Sequence, residues 1–108
     1  YYLRNGAHLI DQAIPMAADG LSVDWRTDIV GLAQRLDAEL GTGRCAVQGN
    51  LDPVTLFASP QMIRDRVRQL HASMGGRAGH VFNLGHGLLP DIPIEGIEAF
   101  VRAVQELR

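Results

Sequence analysis

Four short apolar stretches, beginning near Tyr1, Leu21, Cys45 and His80, are each followed by a segment of helical periodicity. That alternation constrains the fold more than any other feature of the chain. Strands separated by whole helices cannot pair as hairpins, so they pair in parallel through right-handed crossovers. The predicted order is β-α-β-α-β-α-β-α, an α/β fold.

The elements follow from local chemistry. Tyr1 to Arg4 reads as the first strand, closed by Asn5-Gly6. Ala7 to Ala18 is predicted helical, with Leu9, Ile10, Ala13 and Ile14 on one face and a kink near Pro15, which has no N–H to bond back along the helix. Leu21 to Trp25 is the second strand. Thr27 or Asp28 caps a second helix with Ile29, Leu32, Leu36 and Leu40 as its apolar stripe, stopped by Gly41-Thr42-Gly43. Cys45 to Gln48 is the third strand and Leu51-Asp52-Pro53 a loop. Ser59-Pro60 starts the third helix, which buries Ile63, Val67, Leu70 and Met74 and ends at Gly75-Gly76. Val81-Phe82-Asn83-Leu84 is predicted as a buried strand that breaks at Gly85-His86-Gly87. A last helix places Ile97, Val101, Val104 and Leu107 on one face.

Four βα units fit either a small doubly wound sheet or half of an eight-unit barrel of about 250 residues. Both folds build their sites at the C-terminal ends of the strands, where Asn5, Asp24 to Arg26, Gln48 to Asp52 and Gly85 to Gly87 fall. The missing glycine-rich first turn, and a start at Tyr1 inside what reads as a strand already under way, favour the barrel. The expected fold is therefore a (β/α)8 TIM barrel represented by its C-terminal half, with residues 1–108 as the C-terminal part of one domain.

A net charge of −2 argues against nucleic acid or an anionic membrane as the main partner. The apolar runs fall well short of the ~20 residues of a membrane span. Cys45 stands alone, so neither a disulfide framework nor a clustered-thiolate metal site is expected, and a cytoplasmic setting is the default. His8, His71 and His80 read as surface or helix-face residues without metal-ligand spacing, and no metal is expected.

The candidate for chemistry is His86. An imidazole flanked by glycines just past a strand can shuttle a proton or donate to an anionic group. Gln48 and Asn50 can hydrogen-bond a substrate, or Asn50 and Asp52 can close a turn on their own backbone. Asp24 and Arg26 offer a carboxylate and a guanidinium; Arg26 can clamp a substrate acid, and Asp24 can orient His86 or fix nearby backbone.

The segments VFNLGHGLLP at 81–90 and VQGNLDP at 47–53 resemble those of the uroporphyrinogen decarboxylase family. Val23-Asp24-Trp25 and the final helix, IEGIEAFVRAVQEL, fit the same order, so the resemblance covers essentially the whole chain. It implies a (β/α)8 barrel that decarboxylates the four acetate side chains of uroporphyrinogen, giving coproporphyrinogen in haem and chlorophyll biosynthesis. It further implies a cytoplasmic homodimer working without metal or organic cofactor. His86 matches the histidine of the family's NLGHG motif, which meets the substrate's carboxylates or assists proton delivery. The family's arginine-rich start and its active-site aspartate, tyrosine and serine belong to other segments, so the isolated chain is expected to be inactive. Two alternatives accompany this reading: a cobalamin-dependent methyltransferase of the related barrel family, and a non-catalytic tetrapyrrole-binding half-barrel.

Overall fold

The computed structural model describes residues 1–107; Arg108 lies outside them. The strands β1 (Tyr2–Leu3), β2 (Gly20–Val23), β3 (Ala46–Gln48) and β4 (His80–Val81) form one parallel sheet in the order β1-β2-β3-β4. Between them lie α1 (Ile10–Ala13), α2 (Ile29–Leu40) and α3 (Pro60–Ser73), and α4 (Ile94–Gln105) follows β4. A doubly wound sheet needs a reversal of strand order to place helices on both faces. This order has none, so the doubly wound alternative is not formed.

Burial shows the same asymmetry. Leu21, Val23, Cys45 and Val47 are buried in one cluster with Ile29, Leu32 and Leu36 of α2 and with Met74 beyond α3. On the other face Tyr2, Ser22, Gln48 and Val81 line an open trough of about 390 Å³. Strand alternation makes the division clean, because successive side chains point to opposite faces. The sheet is therefore covered on one side and concave on the other.

The long helices form where their caps predict. The Asp28 carboxylate accepts from the N–H groups of Val30 and Gly31, both at 3.1 Å. Ser59 Oγ accepts from the Met62 N–H at 3.3 Å, with Pro60 at the first helical position. Gly75 and Gly76, at φ +60° and +72°, take the chain out of α3 in a conformation that other residues rarely adopt. A bidentate clasp ties the far ends of these elements together: Arg77 donates to both Asp37 oxygens, at 3.0 and 2.8 Å, and to the Cys45 carbonyl at 2.8 Å.

Several expectations are corrected. The first helix is broken into a 3-10 turn at Ala7–Leu9, the short α1, and a second 3-10 turn at Ile14–Met16 that contains Pro15; Leu9 is exposed. The second strand stops at Val23, leaving Trp25 39% exposed in the following loop. Residues 53–57 form a 3-10 turn capped by Asp52, and its Leu56 is buried with Ile63, Leu84 and Ile92.

The fourth strand is shorter than predicted, and Val81 is 49% exposed because it faces the trough. Beyond it the chain runs irregularly beside residues 49–51. The Gly49 N–H donates to the Val81 carbonyl, and that of Leu51 to the Asn83 carbonyl.

In α4 the fully buried positions are Gly96 and Ala103, and Ile97 and Phe100 pack partly buried against the core; of the expected stripe, Val101 is 45% exposed. Small residues won over large ones because α4 lies almost touching the 53–57 turn. A Cβ on Gly96 would collide with the Leu56 carbonyl oxygen.

Candidate functional site

The Gly85-His86-Gly87 turn is held by its first residue. The Gly85 N–H donates to the Leu51 carbonyl at 2.7 Å. Its α-carbon lies against Trp25: a Cβ there would collide with the Trp25 amide nitrogen and stand 2.8 Å from the Trp25 Cβ. Close approach, and not a left-handed φ, requires this glycine. Gly87 has nothing within 4 Å of a notional Cβ.

His86 itself is partly exposed, with Nδ1 2.8 Å from the Gly87 carbonyl oxygen. A carbonyl only accepts, so Nδ1 carries the proton and Nε2 keeps its lone pair in the neutral ring. Nε2 can then take a proton, and once charged it can donate that proton to a carboxylate.

His86 shares a cleft of about 280 Å³ with Tyr2, Ser22, Gln48, Asn83 and Leu84. Tyr2, Ser22, Gln48 and Val81 are successive partners in the sheet register, so they form one row across the concave face. Gln48 Nε2 donates to Ser22 Oγ at 3.1 Å, and among the described residues no donor reaches its carbonyl oxygen. The Tyr2 hydroxyl donates to the Gly85 carbonyl at 2.9 Å. Neither Tyr2 nor Ser22 was among the residues singled out from the sequence. The signal for Ser22 was available: it stands between Leu21 and Val23, whose burial forces it onto the opposite face.

Asn50 and Arg26 do not line this cleft. Asn50 Nδ2 donates to the carbonyls of Asp24 at 2.8 Å and Thr27 at 2.6 Å, which pins the loop after β2. Arg26 donates to Asn5 Oδ1 at 2.7 Å, and its guanidinium lies 4.3 Å above the Trp25 ring. Asp24 is 1% exposed and accepts from the backbone N–H groups of Asn5 and Arg26. Its oxygens serve the loops around β1 and β2, so it does not orient His86.

His80 is not the surface residue expected. Its Nε2 lies 2.9 Å from the Gly49 carbonyl oxygen, its ring centroid 4.4 Å from that of Phe82, and its buried Nδ1 has no partner among the described residues. Burial pushes its pKa below the ordinary 6.5, and nearby His71 and Arg77 push the same way against the Gly49 contact.

Among the described residues no three His, Cys, Asp or Glu side chains converge as a metal site would require. No helix among them is long and apolar enough to cross a membrane.

Comparison with known families gives a match over residues 1–107 to the family described as uroporphyrinogen decarboxylase (URO-D). The chain belongs to the URO-D family. All the cleft residues, Tyr2, Ser22, Gln48 and His86 included, lie inside the matched segment. Relatives named uroporphyrinogen decarboxylase include those of Hahella chejuensis, 41% identical over 106 residues, and Saccharophagus degradans, 44% identical over 106 residues. Each alignment covers 98% of this chain and 28% of the relative. The relative from Methylococcus capsulatus is 42% identical over 98% of this chain and 29% of its own length. The chain thus spans less than a third of the length of these URO-D relatives.

Proposed function

We propose that these residues form the C-terminal half of a (β/α)8 barrel that decarboxylates the acetate side chains of uroporphyrinogen to give coproporphyrinogen. The observation that carries the reading is the 41–44% identity, over 98% of the chain, to proteins named for that activity. The geometry supports it. Sequential parallel strands with one covered face are what a barrel segment requires, and the polar cleft stands at the C-terminal rim where barrel enzymes hold their sites.

A pyrrole acetate loses CO₂ after a ring carbon is protonated. The C–C bonding pair left behind by CO₂ then neutralises the cationic ring, the methylene takes a proton, and the ring carbon returns its own. A residue beside the acetate must meet a carboxylate and handle a proton. His86 Nε2 suits both tasks: the charged ring donates to the carboxylate, and the neutral ring accepts. Gln48 offers its carbonyl oxygen to a pyrrole N–H. Asn50 and Arg26 serve the substrate through the loops they fix.

The same reading makes the protein a cytoplasmic homodimer working without metal or organic cofactor. Exposed Leu88, Leu89 and Ile94, close after the His86 turn in sequence, supply apolar surface for association. Nothing in the geometry favours corrinoid-dependent methyl transfer, since the Cys45 thiol is buried on the helix-covered side of the sheet.

In the complete protein, His86→Asn should lower kcat/KM for coproporphyrinogen formation about 10- to 100-fold, the worth of a hydrogen bond to a charged group. Turnover at the wild-type rate would overturn the assignment.

A further inference from the structure

Tyr2 stands on β1, at the opposite edge of the sheet from β4, yet its hydroxyl reaches the carbonyl of Gly85, 83 residues away. That carbonyl belongs to the peptide plane from which His86 hangs. The bond from the Gly85 N–H to Leu51 and the contact with Trp25 fix where the turn sits. Neither fixes the roll of the 85–86 peptide, which glycine leaves soft. The roll decides where the His86 ring points, because the 2.8 Å contact from His86 Nδ1 to the Gly87 carbonyl turns with the same stretch of backbone.

We propose that Tyr2 is a positioning residue for His86: its phenol donates to the Gly85 carbonyl, sets the 85–86 peptide plane and thereby aims the free Nε2 into the cleft. Tyr2 lines that cleft together with His86 and Gln48, so the same side chain bounds the space that it organises. The assignment rests on reading His86 as the residue that meets the substrate, and its test separates the two.

Tyr2→Phe in the complete protein keeps the ring and removes only the hydroxyl, from a side chain that is 48% exposed. An unchanged melting temperature shows that the fold is retained. Long-range ¹H–¹⁵N spectra of the imidazole report which ring nitrogen of His86 carries the proton. Wild type should show the Nδ1–H form and Tyr2→Phe a mixture of the two tautomers. The variant's kcat should fall about two- to tenfold with KM little changed, the size of one neutral hydrogen bond. In a His86→Asn background the same change should cost nothing more.

A hydroxyl with a merely structural role would lower the melting temperature and leave the imidazole spectrum alone, which would overturn the proposal. If the wild-type protein does not turn over uroporphyrinogen, the decarboxylase reading fails, and the imidazole spectra still decide the role of Tyr2.

Discussion

A single added methyl separates the two glycines that flank His86. On Gly85 it would meet the Trp25 backbone, and on Gly87 it would meet nothing within 4 Å. Gly85→Ala should therefore destabilise the protein by about 1–3 kcal/mol, the usual cost of overpacking. Gly87→Ala should stay within about 0.5 kcal/mol. Urea unfolding of the pair checks this, and equal effects would sink the argument. In the sequence the two glycines look alike, because the Trp25 contact that distinguishes them comes from a distant part of the chain. His86 was legible as a polar ring on a flexible tip, and Gln48 as an amide at a strand end. Asn50 was equally visible, but an amide in a loop can aim at a ligand or at backbone carbonyls. Here the carbonyls of Asp24 and Thr27 decide its direction.

The helices that could be read were those whose ends carry their own chemistry. Asp28 and Ser59 cap α2 and α3 from their own side chains, so the signal is local. In α4 Ile97 of the apolar stripe packs against the core, but Val101 does not, because the docking also depends on the absence of bulk at Gly96. The short β4 is joined to the end of β3 by the His80 ring, and the burial of that ring carries a pH dependence. The folded protein holds His80 below its ordinary 6.5, so the unfolded chain binds more protons in the interval between the two values. Stability then rises with pH across that interval and is lost as the pH falls below the ordinary value. Asp37, held low by Arg77 and then by the Gly43 N–H, gives its stability above the ordinary 3.8 and loses it as the pH falls through its depressed value. Urea midpoints should accordingly fall in two separate windows on acidification. His80→Gln should flatten the upper window and leave the lower one; a slope unchanged in the variant would refute the role of His80.

For the molecule as a whole, the alternation of strands and helices was enough to give parallel pairing, while the strictly sequential order separates the half-barrel from the doubly wound sheet that the alternation also allows. The alternation could not show how the trough is lined, since Tyr2, Ser22, Gln48 and Val81 become neighbours only through the register of three ladders. Among the described residues the sheet ends in two unpaired edges, β1 and β4, beside an open trough. Exposed edges of this kind template association with other chains. Residues 1–108 expressed alone should therefore sediment as dimers or larger species, and a stable, well-folded monomer would contradict the half-barrel reading. The strictly sequential order carries one more consequence, for how such a sheet is inherited. Each strand pairs only with those before and after it in the chain, so a βα unit can be duplicated or exchanged at either end without unpicking a ladder elsewhere. Selection can lengthen or trade such a segment by simple recombination, whereas the Tyr2–Gly85 bond, reaching from β1 to the turn after β4, would be broken by an exchange anywhere between them.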